Sequence, residues 1–429
     1  VTRGRIIALA IGVVAVVAVV VGLLLAGGSS TSPPPVQLAA DPYAHASGAT
    51  TLAGTGSPAF NGDGLKATSA DLDGPSGLAE DRAGDLFIAD TDNCRVRELP
   101  ARSGTSFGVA VRQGRLATIA GGPCSDHSEP VALAVDSAGD LYIAFGSADR
   151  VEELPASNAS TFGVPVTAGK LVTIAGTGRP GSSSNGEPAG QVTLDDPTGL
   201  AVDASGDLLI ADTANCRVLL VAASTGTRFG MPVLRDHSYT LAGNGICGSA
   251  GDGGPATVAE VWDPGALAVD PNGNVLIADQ GNRSIRELAA RGGTFYGISI
   301  AADHLGTVAG EGSYGPYLLD GLPAVGETAE LNFPTAIVVD SRGDLYVADG
   351  ADRAIRFVPA TSTTLSGKPA QDGDMYTAAG ALGTGSLHNV TSWIQTRMLE
   401  PTGLALSPDG SLVFSDSQGD VVRKLPPGT

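Results

Sequence analysis

Pro197-Thr-Gly-Leu-Ala-Val-Asp203, followed by Ala-Ser-Gly-Asp207, Leu-Leu-Ile-Ala-Asp212 and Thr-Ala-Asn215-Cys-Arg217-Val-Leu-Leu220, reads as three short strands. The first is Leu200 to Val202, the second Leu208 to Ala211 and the third Arg217 to Leu220, each an apolar run bounded by polar turns. Gly206 supplies the positive φ that a tight turn from Asp203 requires. A polar turn over Asp212 to Asn215 leads into the third strand. Similar stretches begin at Pro75, Pro130, Pro197, Pro264, Pro334 and Pro401, so six copies recur at intervals of 55 to 70 residues. Such units cannot bury their faces alone and must stack, and units of three or four strands in series argue for a β-propeller.

A second motif sets the strand count. It runs Thr51-Leu-Ala-Gly54, Thr118-Ile-Ala-Gly121, Thr173-Ile-Ala-Gly176, Thr240-Leu-Ala-Gly243, Thr307-Val-Ala-Gly310 and Thr377-Ala-Ala-Gly380. Each is a short strand ending in glycine, which gives every unit a fourth, outermost strand. One such strand at Thr51 stands ahead of the first copy, and none follows the last copy, Pro401 to Leu425. Pairing the two closes a ring and removes the exposed edges that invite aggregation. The expected fold class is therefore all-β: a six-bladed β-propeller of four-stranded blades over residues 49–429, closed by the N-terminal strand and preceded by one transmembrane helix.

That helix is expected at residues 6–26, a run without a charge. At ~1.5 Å per residue it spans a hydrocarbon core of ~30 Å. Arg3 and Arg5 make residues 1–5 a cytoplasmic stub and put the rest outside the cytoplasm. The rival reading is a signal peptide cleaved on secretion. Residues 27–48, rich in Ser, Pro and Ala, read as a linker. A formal charge of −20 repels phosphate backbones, so nucleic acid is excluded as a partner.

The pattern P-x-G-L-A-V-D, G-D-L-Y-I-A-D, N-x-R-V resembles the NHL repeat family of β-propellers, over roughly Thr51 to Leu425. Gly251-Asp-Gly-Gly-Pro-Ala-Thr257 also resembles the loop that often precedes such a repeat. The resemblance is specific for the fold and broad for function. It implies a binding module or an extracellular sensor, or in some relatives a lyase or hydrolase. The function expected here is a membrane-anchored extracytoplasmic binding or scaffold module for a protein or cell-wall glycan. The alternative is a lyase or hydrolase acting at the channel mouth, against which the first strands offer only Gly, Leu, Ala, Ile and Val.

Repeat symmetry organises the remaining chemistry. Cys94 and Cys216 share one repeat position, and Cys124 and Cys247 follow 30 and 31 residues later, which selects the bridges Cys94–Cys124 and Cys216–Cys247. Outside the cytoplasm such bridges persist, and the spacing lacks the close C-x-x-C of a zinc site. Asp90, Asp212, Asp279, Asp349 and Asp416 end second strands and read as turn caps paired with nearby arginines, Asp90 with Arg95 and Asp212 with Arg217. Asp81, Asp136, Asp203, Asp270 and Asp340 read as structural residues of the hairpin turns. No cofactor or metal is expected. Asn61-Gly-Asp-Gly64 and Gly251-Asp-Gly-Gly254 look like calcium loops, but they lack a run of carboxylates and a closing Glu. The five histidines form no three-ligand set and no triad; His127, at the short loop 122–129, reads as an exposed residue with a catalytic role as the alternative, and no catalytic residue is expected.

Two kinds of insert decorate opposite faces. Thr105 to Val109, Thr161 to Pro165, Thr227 to Met231 and Thr294 to Ile298 carry an aromatic–Gly pair between third and fourth strands. The Gly-rich loops after each fourth strand emerge on the other face, beside the Asp-x-x-Asn turns. Loop variety on a rigid ring is how such folds acquire specificity. Aromatics on that face, Tyr314, Tyr317, Trp393 and Trp262, are the candidate partner-binding residues.

Overall fold

The computed structural model describes residues 49–124, 129–310, 320–326, 329–365, 368–380 and 398–427. The apolar segment 6–26 and the linker 27–48 lie outside them, as do Tyr314, Tyr317, Trp393 and His127.

Six antiparallel sheets follow one another along the chain. Blade 1 is Pro75–Glu80, Leu86–Asp90, Arg95–Leu99 and Ala117–Gly121. Blade 3, the sequence archetype, is Pro197–Val202, Leu208–Asp212, Arg217–Val221 and His237–Ala242. Blade 4 repeats it with Pro264–Val269, Val275–Asp279, Ser284–Leu288 and Leu305–Gly310. Blades 2 and 5 begin at Ala132–Val135 and Pro334–Val339. Blade 6 combines Pro401–Leu406, Leu412–Asp416 and Val421–Leu425 with Thr50–Ala53 from the start of the ring. The closing register is Thr50 opposite Lys424, Thr51 opposite Arg423 and Ala53 opposite Val422. Blades 3 and 5 add a two-residue fifth strand on the outer edge, Glu187–Pro188 and Leu322–Pro323.

Alternation along each strand puts apolar side chains on both faces of each sheet, and the core is divided accordingly. Six clusters of buried residues each join two neighbouring blades. The cluster between blades 6 and 1 contains Ala53, Leu78, Ile88, Val413 and Val422. Near the axis, hydroxyls stitch four of the six blade joints. Ser76 donates to the Val131 carbonyl, Thr198 to Gly265, Thr335 to Pro401 and Thr402 to Pro75.

The aromatic–Gly inserts fold into two-stranded ribbons, the first being Gly104–Ser106 with Val109–Val111. Their turns place both central residues at positive φ, as at Phe107 (46°) and Gly108 (80°), the geometry that follows the twist of a hairpin. An aromatic there is strained, and packing holds it. Phe107 meets Phe87 edge-on at 5.9 Å, Phe162 meets Tyr142 at 6.1 Å, and the Tyr296 hydroxyl donates to the Gly343 carbonyl of the next blade at 2.6 Å.

Cys94–Cys124 and Cys216–Cys247 are bridged, each with Cα atoms 5.2 Å apart. They tie the turn after a second strand to the loop that follows the fourth. Each closes a loop of about thirty residues, worth ~3–4 kcal/mol in the chain-entropy account. Cys124→Ser is therefore expected to lower the unfolding free energy by about that amount in a urea titration. An unchanged midpoint would show that the loop is held by its other contacts.

Candidate functional site

Hydrogen bonds define the two faces. On one, the loop face, the turn asparagines reach up into the Gly-rich loops. Asn93 donates to the Ala59 carbonyl, Asn215 to Gly181 and Asn282 to Gly248, each 34 residues away. On the other, the ribbon face, first-to-second-strand turns are built around an aspartate. Asp81 accepts the amides of Ala83 and Asp85, and Asp203 those of Ser205 and Asp207.

The second-strand aspartates are buried anchors of the loop face. Asp90 accepts the Asp73 amide and the Asn93 side chain, Asp212 the Asp195 amide, and Asp279 the Trp262 amide at 2.7 Å. Burial pushes the carboxyls of Asp90, Asp212 and Asp279 up, and these hydrogen bonds oppose it. Asp212 pairs with Arg217 at 2.7 Å, as the spacing suggests. Asp90 does not pair with Arg95. Its partner is Arg97, at 3.1 Å, and Asp279 likewise pairs with Arg286 at 3.3 Å. The two arginines of blade 1 lie on one side of the same strand, so spacing alone cannot choose between them. Arg95 instead donates to the carbonyls of Asn93 and Gly122 and stacks on Phe60, 4.0 Å from the ring centre.

The axial channel is narrow. First strands enclose a cavity of ≈ 80 Å³ lined by Gly77, Leu78, Leu133, Gly199, Ala266 and Gly403 among others. Among the described residues that line it, none is ionisable. At its mouth on the loop face, Asp420 accepts the Gly74 amide across the blade 6 to blade 1 boundary. Burial, then Asp73 and Glu129, push the carboxyl of Asp92 up. Asp63 and Asp252, the aspartates of the two Gly-rich loops that look like calcium loops, each face a buried arginine, Arg97 and Arg286. His237 and His304 each contact a carbonyl two residues back, those of Arg235 and Ala302, at 2.7 Å.

The loop face holds a half-open pocket of ≈ 440 Å³ over blade 4. Trp262, one of the candidate residues, forms a wall of it and is 46% exposed. Its ring lies directly over Gly281, where a Cβ would stand 2.4 Å from the indole, so only glycine admits it. Asn282, Ser249, Ser284, Thr307 and Asp252 supply polar groups, with Arg286 and Asp279 beneath. Sequence reasoning named the tryptophan and missed the pocket.

The NHL repeat family matches residues 194–219. Comparison with curated proteins finds no match. Among solved structures, a Bacteroides thetaiotaomicron protein of unknown function shares 17% identity at a TM-score of 0.57, covering 88% of this chain and 75% of that one. An auxiliary nutrient binding protein from the same organism has 14% identity and a TM-score of 0.55, covering 89% and 76%. Another, from Bacteroides ovatus, has 13% identity and a TM-score of 0.54, covering 89% and 77%. These likenesses concern the fold. The NHL repeat matched in blade 3 recurs as the same structural unit round a closed ring of six: the chain is a six-bladed β-propeller with an NHL repeat in its third blade.

Proposed function

We propose that this protein is an extracytoplasmic binding module, held at the membrane by residues 6–26, which recognises a ligand through the loop face. The observation that carries this reading is the open pocket over blade 4, with a half-exposed indole on a rigid ring. Two disulfides agree with an oxidising compartment. Two proteins of the same fold are described as nutrient binding, which agrees with a binding role. An extracytoplasmic protein or a cell-wall glycan is the partner class. A lyase or hydrolase within the channel finds less support, because the channel's described lining offers no acid, base or thiol; the acids nearest its mouth are Asp92 and Asp420.

The test is capture from an envelope extract by the immobilised full chain. Trp262→Ala, and separately the triple replacement of Tyr314, Tyr317 and Trp393 by Ala, are expected to abolish capture and to shift the melting temperature by no more than about 3 °C. Capture that survives both sets of changes would move the site to the ribbon face.

A further inference from the structure

The repeats provide an internal control for the blade 4 pocket. The loops Thr51 to Pro75 and Thr240 to Pro264 have the same length, so each residue of one has a counterpart in the other. Phe60 corresponds to Ser249, Asp63 to Asp252 and Asp73 to Trp262. On the third strands Arg95 corresponds to Ser284, and Arg97 to Arg286. In blade 1 the Phe60 ring covers both guanidinium groups, 4.0 Å from Arg95 and 5.1 Å from Arg97. In blade 4 two serines replace the phenylalanine and the outer arginine. The lower arginine and its aspartates remain, and the vacated volume is the pocket.

Resting on the loop-face reading above, we infer that this pocket binds a neutral saccharide. Its walls combine an apolar aromatic face with hydroxyl, amide and carboxylate groups, the combination that matches a ring with apolar C–H faces and hydroxyl edges. Ser284 is 4% exposed and lines the pocket, so its hydroxyl is a donor and acceptor at the pocket floor. Asn282 spends its amide protons on Gly248 and Asp279, leaving its carbonyl as an acceptor. The half-exposed Asp252 carboxylate is held by Arg286 and by the Thr307 amide, 3.2 Å away. Arg286 faces two carboxylates, so no net positive charge is left for an anionic ligand. The volume of ≈ 440 Å³ falls within the ~300–1,000 Å³ of small-molecule sites.

Trp262 and Trp393 are the only tryptophans, so the part of a fluorescence response that is lost in Trp262→Ala reports the pocket. The unaltered full chain and Trp262→Ala are titrated in parallel with glucose, galactose, N-acetylglucosamine and cellobiose. At least one should give a saturable change in fluorescence. Rebuilding the blade 1 filling, Ser249→Phe with Ser284→Arg, should weaken that binding at least ~10-fold, and the melting temperature should hold or rise. No saturable response to any neutral sugar, or full affinity in the filled variant, overturns the inference. So does tighter binding of galacturonate or of a lysine-rich peptide. If the sugars fail while envelope capture stays sensitive to Trp262→Ala, only the ligand class is wrong. If capture is insensitive as well, the loop-face reading falls with it.

Discussion

Removal of residues 49–54 is expected to destabilise the ring by several kcal/mol and to make it prone to aggregation. Thr50–Ala53 is the fourth strand of blade 6, supplied from the far end of the domain. Without it, the outer edge of Val421–Leu425 is bare, and bare edges recruit other chains. The strand also seals the core between blades 6 and 1. Ala53 is fully buried among Leu78, Ile88, Val413 and Val422, and the Gly54 amide donates to the Ala67 carbonyl. A point change acts through the same joint. Gly54 sits at φ +94°, and a Cβ there would lie 2.2 Å from the Asp420 carbonyl oxygen. Gly54→Val should therefore lower the melting temperature in the direction of the deletion. A truncated domain that melts like the intact one, and stays monomeric on size exclusion, would mean that the ring closes elsewhere.

Raising the pH from 5 to 9 is expected to cost the fold several kcal/mol, and three glutamates account for most of it. Glu98, Glu153 and Glu287 occupy one position on the third strands of blades 1, 2 and 4, and all are fully buried. Among the described residues no well-aligned hydrogen bond reaches either oxygen of Glu98 or Glu287, although the Ser106 hydroxyl and the Asn274 amide lie beside them. Burial pushes Glu98 and Glu153 up to about 7 and Glu287 up to about 8, and nearby aspartates push the same way. Between the unfolded value of 4.5 and these values the native state holds the extra proton. Stability is then fullest below pH 4.5 as far as these groups are concerned, and falls as pH rises, by ~1.4 kcal/mol per unit per group. For Glu287 alone the loss by pH 7 is on the order of 3 kcal/mol. The triple variant Glu98→Gln, Glu153→Gln and Glu287→Gln should flatten the profile and melt higher than the parent at pH 9. Equal slopes in the two proteins would show that water or a rearranged ribbon solvates the carboxylates.

Much of the scaffold is legible in the residues because the blades punctuate themselves alike, the Ser407 turn of blade 6 being the exception. Proline opens the first strand, Asp-x-x-Gly turns it, and Thr-x-Ala-Gly marks the outer edge. Ring closure follows from counting strands. The disulfides follow from two cysteines sharing a repeat position. What escapes is whatever depends on side-chain reach. Asp90 chooses Arg97 over Arg95 because Arg95 is drawn outward to Phe60 and to the Asn93 and Gly122 carbonyls. The outer strands Glu187–Pro188 and Leu322–Pro323 are too short for any periodicity to register. The pocket over blade 4 is a different kind of omission, since it consists of side chains that are missing. Its signal lies in comparing copies residue by residue, where Ser249 and Ser284 stand against Phe60 and Arg95. Tyr314, Tyr317 and Trp393 lie outside the described residues, and their part in binding is a proposal.

The central claim is that the loop face of blade 4 is open to receive a ligand where the matching position of blade 1 is filled by Phe60 and Arg95. Hydrogen exchange on the full chain, with and without the envelope fraction it captures, tests this most directly. The account predicts new protection centred on the loop 249–252, Trp262 and the turn 281–284, extending to the segments that carry Tyr314, Tyr317 and Trp393. Protection along the axial strand Pro75–Glu80 or on the ribbon Gly104–Ser106 and Val109–Val111, with the blade 4 loop unchanged, would contradict it.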